Sequence, residues 1–284
     1  MSILLFILII TFSTAQSISN KSFNLRNPDG GEYTYTCISC AAAALFFAVT
    51  AGGNLTFVKE LYVYSFGFAL SYGAAILFLF LAIKHGSLAL TTLVMSYSLI
   101  IPALVGLVVY DEKASVSLFI GLALLCISLA LINNKGEEKT IINIKWIVYV
   151  LIAFFGDGMC STVQQMQQRK FGGEYKSEFM IAALLMIVIM MVVLLMVFER
   201  KIFFKALRSG FVFPVISGAA NGAVNLFVML MLALVPASVM FPLISAGDIV
   251  VTSAISVLFY KEKLTKRQLV GILFGVAAIV FLNL

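Results

Sequence analysis

The chain has 284 residues, of which 62% are hydrophobic and 11% charged, and its formal net charge is +6. Soluble domains carry about 45–50% apolar and about 25% charged residues, and no water-facing fold of this size could hide such an excess of apolar surface. Composition therefore excludes a water-soluble globular protein, and scattered basic residues with no basic stripe between aromatics exclude a nucleic-acid binder.

A helix crosses a bilayer with about 17–25 mostly apolar residues. In chain order, spans are predicted over 2–16, 34–57, 62–83, 87–110, 115–132, 144–167, 178–198, 211–234, 237–259 and 267–284. The breaks are polar: Lys59-Glu60, Lys84-His85, Asp111-Glu112-Lys113, Asn133 to Lys145, Glu199 to Arg208, and Lys261 to Arg267. The first span is short, and Ser13-Thr14-Ala15 resembles a leader cleavage site. No Lys or Arg precedes its apolar run, so it is read as a retained helix. Cys37, Cys40, Cys126 and Cys160 lie in or beside apolar segments, and the single histidine, His85, is remote from the Cys37-x-x-Cys40 pair. They read as packing thiols; no metal site and no cofactor motif is expected.

Of the charged residues, only Asp157 and Asp248 fall deep within predicted spans. A charge at the bilayer centre costs about 2.5–3.5 kcal/mol on insertion scales, so such a residue usually faces a cavity and serves a function. Asp248 lies eleven residues into its span, about 16 Å deep at the rise of a helix. Phe241, Ser245, Asp248, Thr252 and Ser256 share one helical face, and Asp157 shares another with Ser161, Gln164 and Gln168. Ser217, Asn221 and Asn225 form a third polar stripe. Tyr72 lies in the third span, and Thr91, Met95 and Ser98 mark one face of the fourth.

The expected substrate-binding or coupling set is Asp248, Asp157, Gln164, Asn221, Asn225, Ser245, Tyr72, Thr91 and Ser98. Removed from water, a carboxylate favours its protonated form, so a mid-membrane aspartate can carry a proton or pair with a cationic substrate group. Hydroxyls and amides also join helices to one another, which is the competing reading for the uncharged members. Small-residue pairs such as Gly218 with Gly222 and Gly271 with Gly275 read as helix contacts.

The chain repeats itself. At an offset of 150 residues, Tyr110-Asp111-Glu112-Lys113 falls on Tyr260-Lys261-Glu262-Lys263 and Gly121 on Gly271. At an offset of 142, Gly30-Gly31-Glu32-Tyr33 falls on Gly172-Gly173-Glu174-Tyr175. Two halves, 1–134 and 135–284, then hold five spans each, and an odd number makes the second half enter from the opposite side. The predicted fold is all-α, with ten transmembrane helices as two inverted five-helix repeats. Ser98 is the repeat partner of Asp248.

The order aromatic, Glu, short polar linker and Gly-rich final helix, present at Tyr110 to Gly121 and Tyr260 to Gly275, resembles the EamA-like family of the drug/metabolite transporter superfamily. The resemblance implies transport of small metabolites or drugs across the cell membrane without ATP hydrolysis. Its expected partners are a small-molecule substrate, with a proton as the candidate coupling ion, and the lipid bilayer. Alternating access between the halves follows from the inverted repeat. A rival enzyme reading, an intramembrane aspartyl protease, would use Asp157 and Asp248 to activate water. Phe154 and Ser245 stand where such enzymes carry the first Gly of Gly-x-Gly-Asp. Most Lys and Arg lie in the odd-numbered connections, which the positive-inside rule assigns to the cytoplasm, opposite to the arrangement the resemblance implies.

Overall fold

A computed structural model describes residues 2–27, 30–53, 55–85, 91, 94–133, 144–260 and 265–282, apart from the side chains of 84, 132, 133, 252, 253 and 255–260. Among the described residues every regular element is helical. The helices are α1 (Ser2–Arg26), α2 (Glu32–Thr50), α3 (Leu61–His85), α4 (Ile100–Val109), α5 (Val116–Asn133) and α6 (Ile144–Lys170). They continue as α7 (Lys176–Leu194), α8 (Phe203–Gly210), α9 (Val212–Leu232), α10 (Ala237–Tyr260) and α11 (Lys266–Leu282). A wide π turn, Leu195–Glu199, extends α7.

Among the described residues, six helices are long and apolar enough to cross a membrane: Ser2–Arg26, Glu32–Thr50, Leu61–Ile83, Ile144–Lys170, Lys176–Glu199 and Val212–Leu232. Val116–Leu131, Ala237–Val251 and, interrupted by a turn at 97–99, Val94–Val109 are shorter apolar helical stretches. Outward-facing positions are apolar: Val63 is 73% exposed and Leu273 66%. Water would penalise that surface, whereas lipid matches it. The chain is a multi-pass membrane protein.

Three predicted boundaries change. The first helix runs to Arg26 instead of 16. The second stops at Thr50, because Gly52 and Gly53 take φ of 64° and 84°, a left-handed turn that a helix cannot continue through. The connection between Glu199 and Arg208 folds its last part into α8, a helix outside the ten predicted spans.

The chain divides into two compact units that do not follow the halves. The first holds residues 1–73 and 166–233, and the second holds 74–165 and 234–284. In the first unit α1 packs on α9, and α2 packs on both α7 and α9. Gly218 meets Ser39 and Ala42 of α2 so closely that no side chain fits, and Gly222 lies against Phe46. Ser39 Oγ donates to the Pro214 carbonyl at 3.0 Å. In lipid, close backbone approach and interhelical hydrogen bonds replace the hydrophobic effect as the cause of association.

In the second unit α5 packs on α11, and α10 on α4 and α11. Ser128 Oγ donates to the Gly271 carbonyl at 2.7 Å, and Gly275 faces the same serine. Leu125, Leu129, Ala246 and Ala278 form the core there.

Two helices are capped by carboxylates distant in sequence. Glu199 Oε1 accepts from the N–H groups of Gly31 (3.0 Å) and Tyr33 (3.1 Å). Its Oε2 accepts from the N–H and hydroxyl of Thr34, both at 2.8 Å. These are orphan donors at the start of α2, whose own first residues supply no side-chain cap. Glu112 accepts from Ala237 N (3.2 Å) and Ser238 N (2.9 Å) at the start of α10. Its carboxylate lies against Gly106, where any Cβ would collide with it. The Tyr-Asp-Glu motif thus has a structural task, and Asp111 adopts φ of 50° to aim the glutamate. Of the second copy, 260–263, the side chain of Tyr260 and all of 261–263 lie outside the described residues.

Candidate functional site

The second unit contains a recess of about 320 Å³ lined by Asp157, Asp248, Ser98, Ser245 and Ser96, with Met95, Leu99, Leu129 and Ile249 as its apolar wall. Each aspartate occupies the middle of its helix. Asp157 is the fourteenth of the 27 residues of α6, and Asp248 the twelfth of the 24 of α10. A helix midpoint is the position furthest from both aqueous faces, so neither carboxylate is a misplaced connection residue.

The third wall comes from a break in the predicted span 87–110, of which 91 and 94–110 are described. Helix gives way to a turn at Tyr97–Leu99 before α4 begins. Through the break the bonds tighten to i−3: Ser98 N to Met95 O and Ile101 N to Ser98 O, each 3.0 Å. Pro102 explains it. Having no N–H, it cannot bond the Ser98 carbonyl, and its ring disfavours a regular helix just before it. Pro102 itself is tolerated in the first turn of α4. The Ser98 hydroxyl donates to Asp157 Oδ2. Gly158 lets the break approach α6: a Cβ there would stand 2.8 Å from the Ser98 carbonyl oxygen and collide with Ile101. Interrupted helices lining polar cavities are the form in which irregular backbone is tolerated at membrane depth.

Four predicted residues, Asp157, Asp248, Ser98 and Ser245, thus meet in one recess. The others stand elsewhere. Thr91 is fully buried and accepts the Trp146 Nε1–H at 2.9 Å, so among the described residues it braces α6 and does not line the recess. Gln164 is buried on α6, two turns beyond Asp157. Tyr72, Asn221 and Asn225 belong to the first unit. Tyr72 stacks on Phe68 with centroids 6.2 Å apart. Asn225 Nδ2 donates to Asn221 Oδ1 at 3.0 Å along α9. The side chains of Thr252 and Ser256 lie outside the described residues.

Residue type and spacing do not reveal one residue lining the recess and one buried amide outside its lining. Ser96 lines the recess, but helical spacing from Thr91 and Met95 pointed elsewhere because the break was not foreseen. Gln165 is 1% exposed, and neither end of its amide has a hydrogen-bond partner among the described residues. The Gln164-Gln165 pair inside an apolar span was the available signal. The four cysteines are free, and among the described residues no group of His, Cys, Asp and Glu could hold a metal ion.

These features define a helical membrane protein with a paired-carboxylate recess built on an interrupted helix. The model of the EamA-like transporter family, part of the drug/metabolite transporter superfamily, matches residues 144–284 of the chain. No curated protein matches the chain. A crystal structure of a protein with 12% sequence identity superposes with a TM-score of 0.77, covering 99% of this chain and 95% of that one, which is a likeness of fold.

Proposed function

We propose that the protein is a secondary transporter of small organic solutes in the cell membrane, with ten spanning helices in two inverted repeats that alternate access to a site containing Asp157 and Asp248. The observation that carries this reading is the convergence of two mid-helix carboxylates on one recess beside a proline-broken helix. A carboxylate pair there attracts positive charge, supplied by a proton or by a cationic group of the solute. The matched family moves small molecules, which favours transport over the proteolysis that the same pair of residues could otherwise support.

Asp248 is assigned the coupling charge, because it is a carboxylate at the middle of α10 that lines the recess. Solute uptake into proteoliposomes tests it, with the Asp248→Asn protein inserted to the same level as wild type. A loss of uptake in both the presence and absence of a proton gradient marks a substrate countercharge. A loss confined to gradient-driven uptake marks a proton carrier. Wild-type uptake with an unchanged pH profile would remove Asp248 from the mechanism. Loss of cleavage of a membrane peptide on the same substitution would replace transport with the enzyme reading.

A further inference from the structure

Helix α8 belongs neither to the recess nor to any predicted span. It begins four residues after Glu199, the end of one membrane span, and ends two residues before Val212, the start of another. Tethers that short hold it at the height where those spans leave the membrane. Its residues sort into three faces by helical periodicity. Ala206 and Gly210 face inward, with Ala206 packed among Phe23, Tyr35 and Phe213. Lys201, just ahead of the helix, forms an exposed basic stripe with Lys205 and Arg208 at spacings of four and seven. Phe204 and Phe211, 68% and 52% exposed, form the adjoining edge.

The nearest carboxylate in sequence is engaged by α2. Glu199 is buried and turned into the start of α2. Arg26, whose guanidinium lies 4.7 Å above the Phe213 ring, adds positive charge near the end of α8. A helix facing water would gain nothing from two exposed phenylalanines, and one sunk in hydrocarbon would not carry three cations. Both edges are matched at once only at the lipid headgroup boundary.

We propose that α8 is a binding surface for acidic phospholipid. Lys201, Lys205 and Arg208 take the anionic headgroups, and Phe204 and Phe211 enter the upper acyl region. The aromatic edge selects a lipid over a soluble anion, which has no apolar part to place there. The positive-inside count puts this connection in the cytoplasmic leaflet, where the surface potential is negative.

The full chain is reconstituted in phosphatidylcholine bilayers with trace spin-labelled phosphatidylglycerol or spin-labelled phosphatidylcholine, and the motionally restricted fraction of each is compared. Wild type is expected to prefer phosphatidylglycerol, with the preference shrinking as salt screens the headgroup charge. The K201Q/K205Q/R208Q variant should weaken it by about fivefold per charge removed, whereas K201R/K205R/R208K should retain it. The control K266Q/R267Q removes two exposed cations from the other compact unit and should leave it in place. The proposal is overturned if wild type shows no preference, or if the control lowers it as far as the triple Gln variant. It is also overturned if inorganic phosphate displaces the labelled lipid beyond the effect of sodium chloride at equal ionic strength. Transport enters none of these readouts, so the outcome is independent of the role given to Asp248.

Discussion

Glu199 holds together two segments that are adjacent only in the folded chain. Its carboxylate accepts four hydrogen bonds, three from backbone N–H groups and one from the Thr34 hydroxyl, at 2.8–3.1 Å. Replacing it by alanine leaves all four donors without their acceptor at a site where the glutamate is only 4% exposed. Orphaned buried donors cost about 1–3 kcal/mol each, and removal of an ordinary local N-cap about 0.5–2 kcal/mol. Because the site lies at the end of a span, water and headgroups reach part of the vacated space. The expected loss for Glu199→Ala is therefore about 3 kcal/mol, below the sum of four orphans. Glu199→Gln keeps one acceptor oxygen for two of the four donors, so about half that loss is expected.

The assay is the melting of detergent-solubilised protein, followed by the surviving monodisperse fraction on size exclusion. A double-mutant cycle sharpens it. Thr34→Val should cost about 1 kcal/mol in wild type but under about 0.5 kcal/mol beside Glu199→Ala, because the hydroxyl has already lost its acceptor. Wild-type melting of Glu199→Ala, or additive effects of the two substitutions, would refute the capping argument.

Two further outcomes follow from close contacts in the second unit. Gly158→Ala puts a methyl against Ile101 and the Ser98 carbonyl, and is expected to destabilise by about 1–3 kcal/mol as the break is pushed off α6; melting that matches wild type would show that the close approach is not needed. Thr91→Val removes the acceptor of the Trp146 N–H, costing about 1 kcal/mol. Trp146 is the single tryptophan of the chain, so its emission should move to shorter wavelength, and an unchanged spectrum would deny the bond.

The spans were legible because lipid imposes a local rule: long apolar runs are helical wherever they sit. Asp157 and Asp248 were legible for the same reason, as charges where charge is costly. The cap on α2 was hidden by distance, since Glu199 looks like any charge at a span end until the fold brings it to Gly31 and Thr34. Helix α8 was hidden because eight residues with three cations in and just before them resemble a connection by composition; its two exposed edges emerge only once Ala206 is seen to be buried.

By itself the sequence determined the solvent, the helical class and the two carboxylates at mid-helix, all of which depend on residue type and spacing along the chain. Only the tertiary structure decided that the two aspartates line one recess with Ser98 and Ser245, while Thr91 is taken up by Trp146. It also decided that the compact units draw on both halves. The physical reason is that meeting at a recess depends on which helices pack together and where one of them breaks. Those choices rest on contacts such as Gly158 against Ser98, between residues with no mark of each other in sequence.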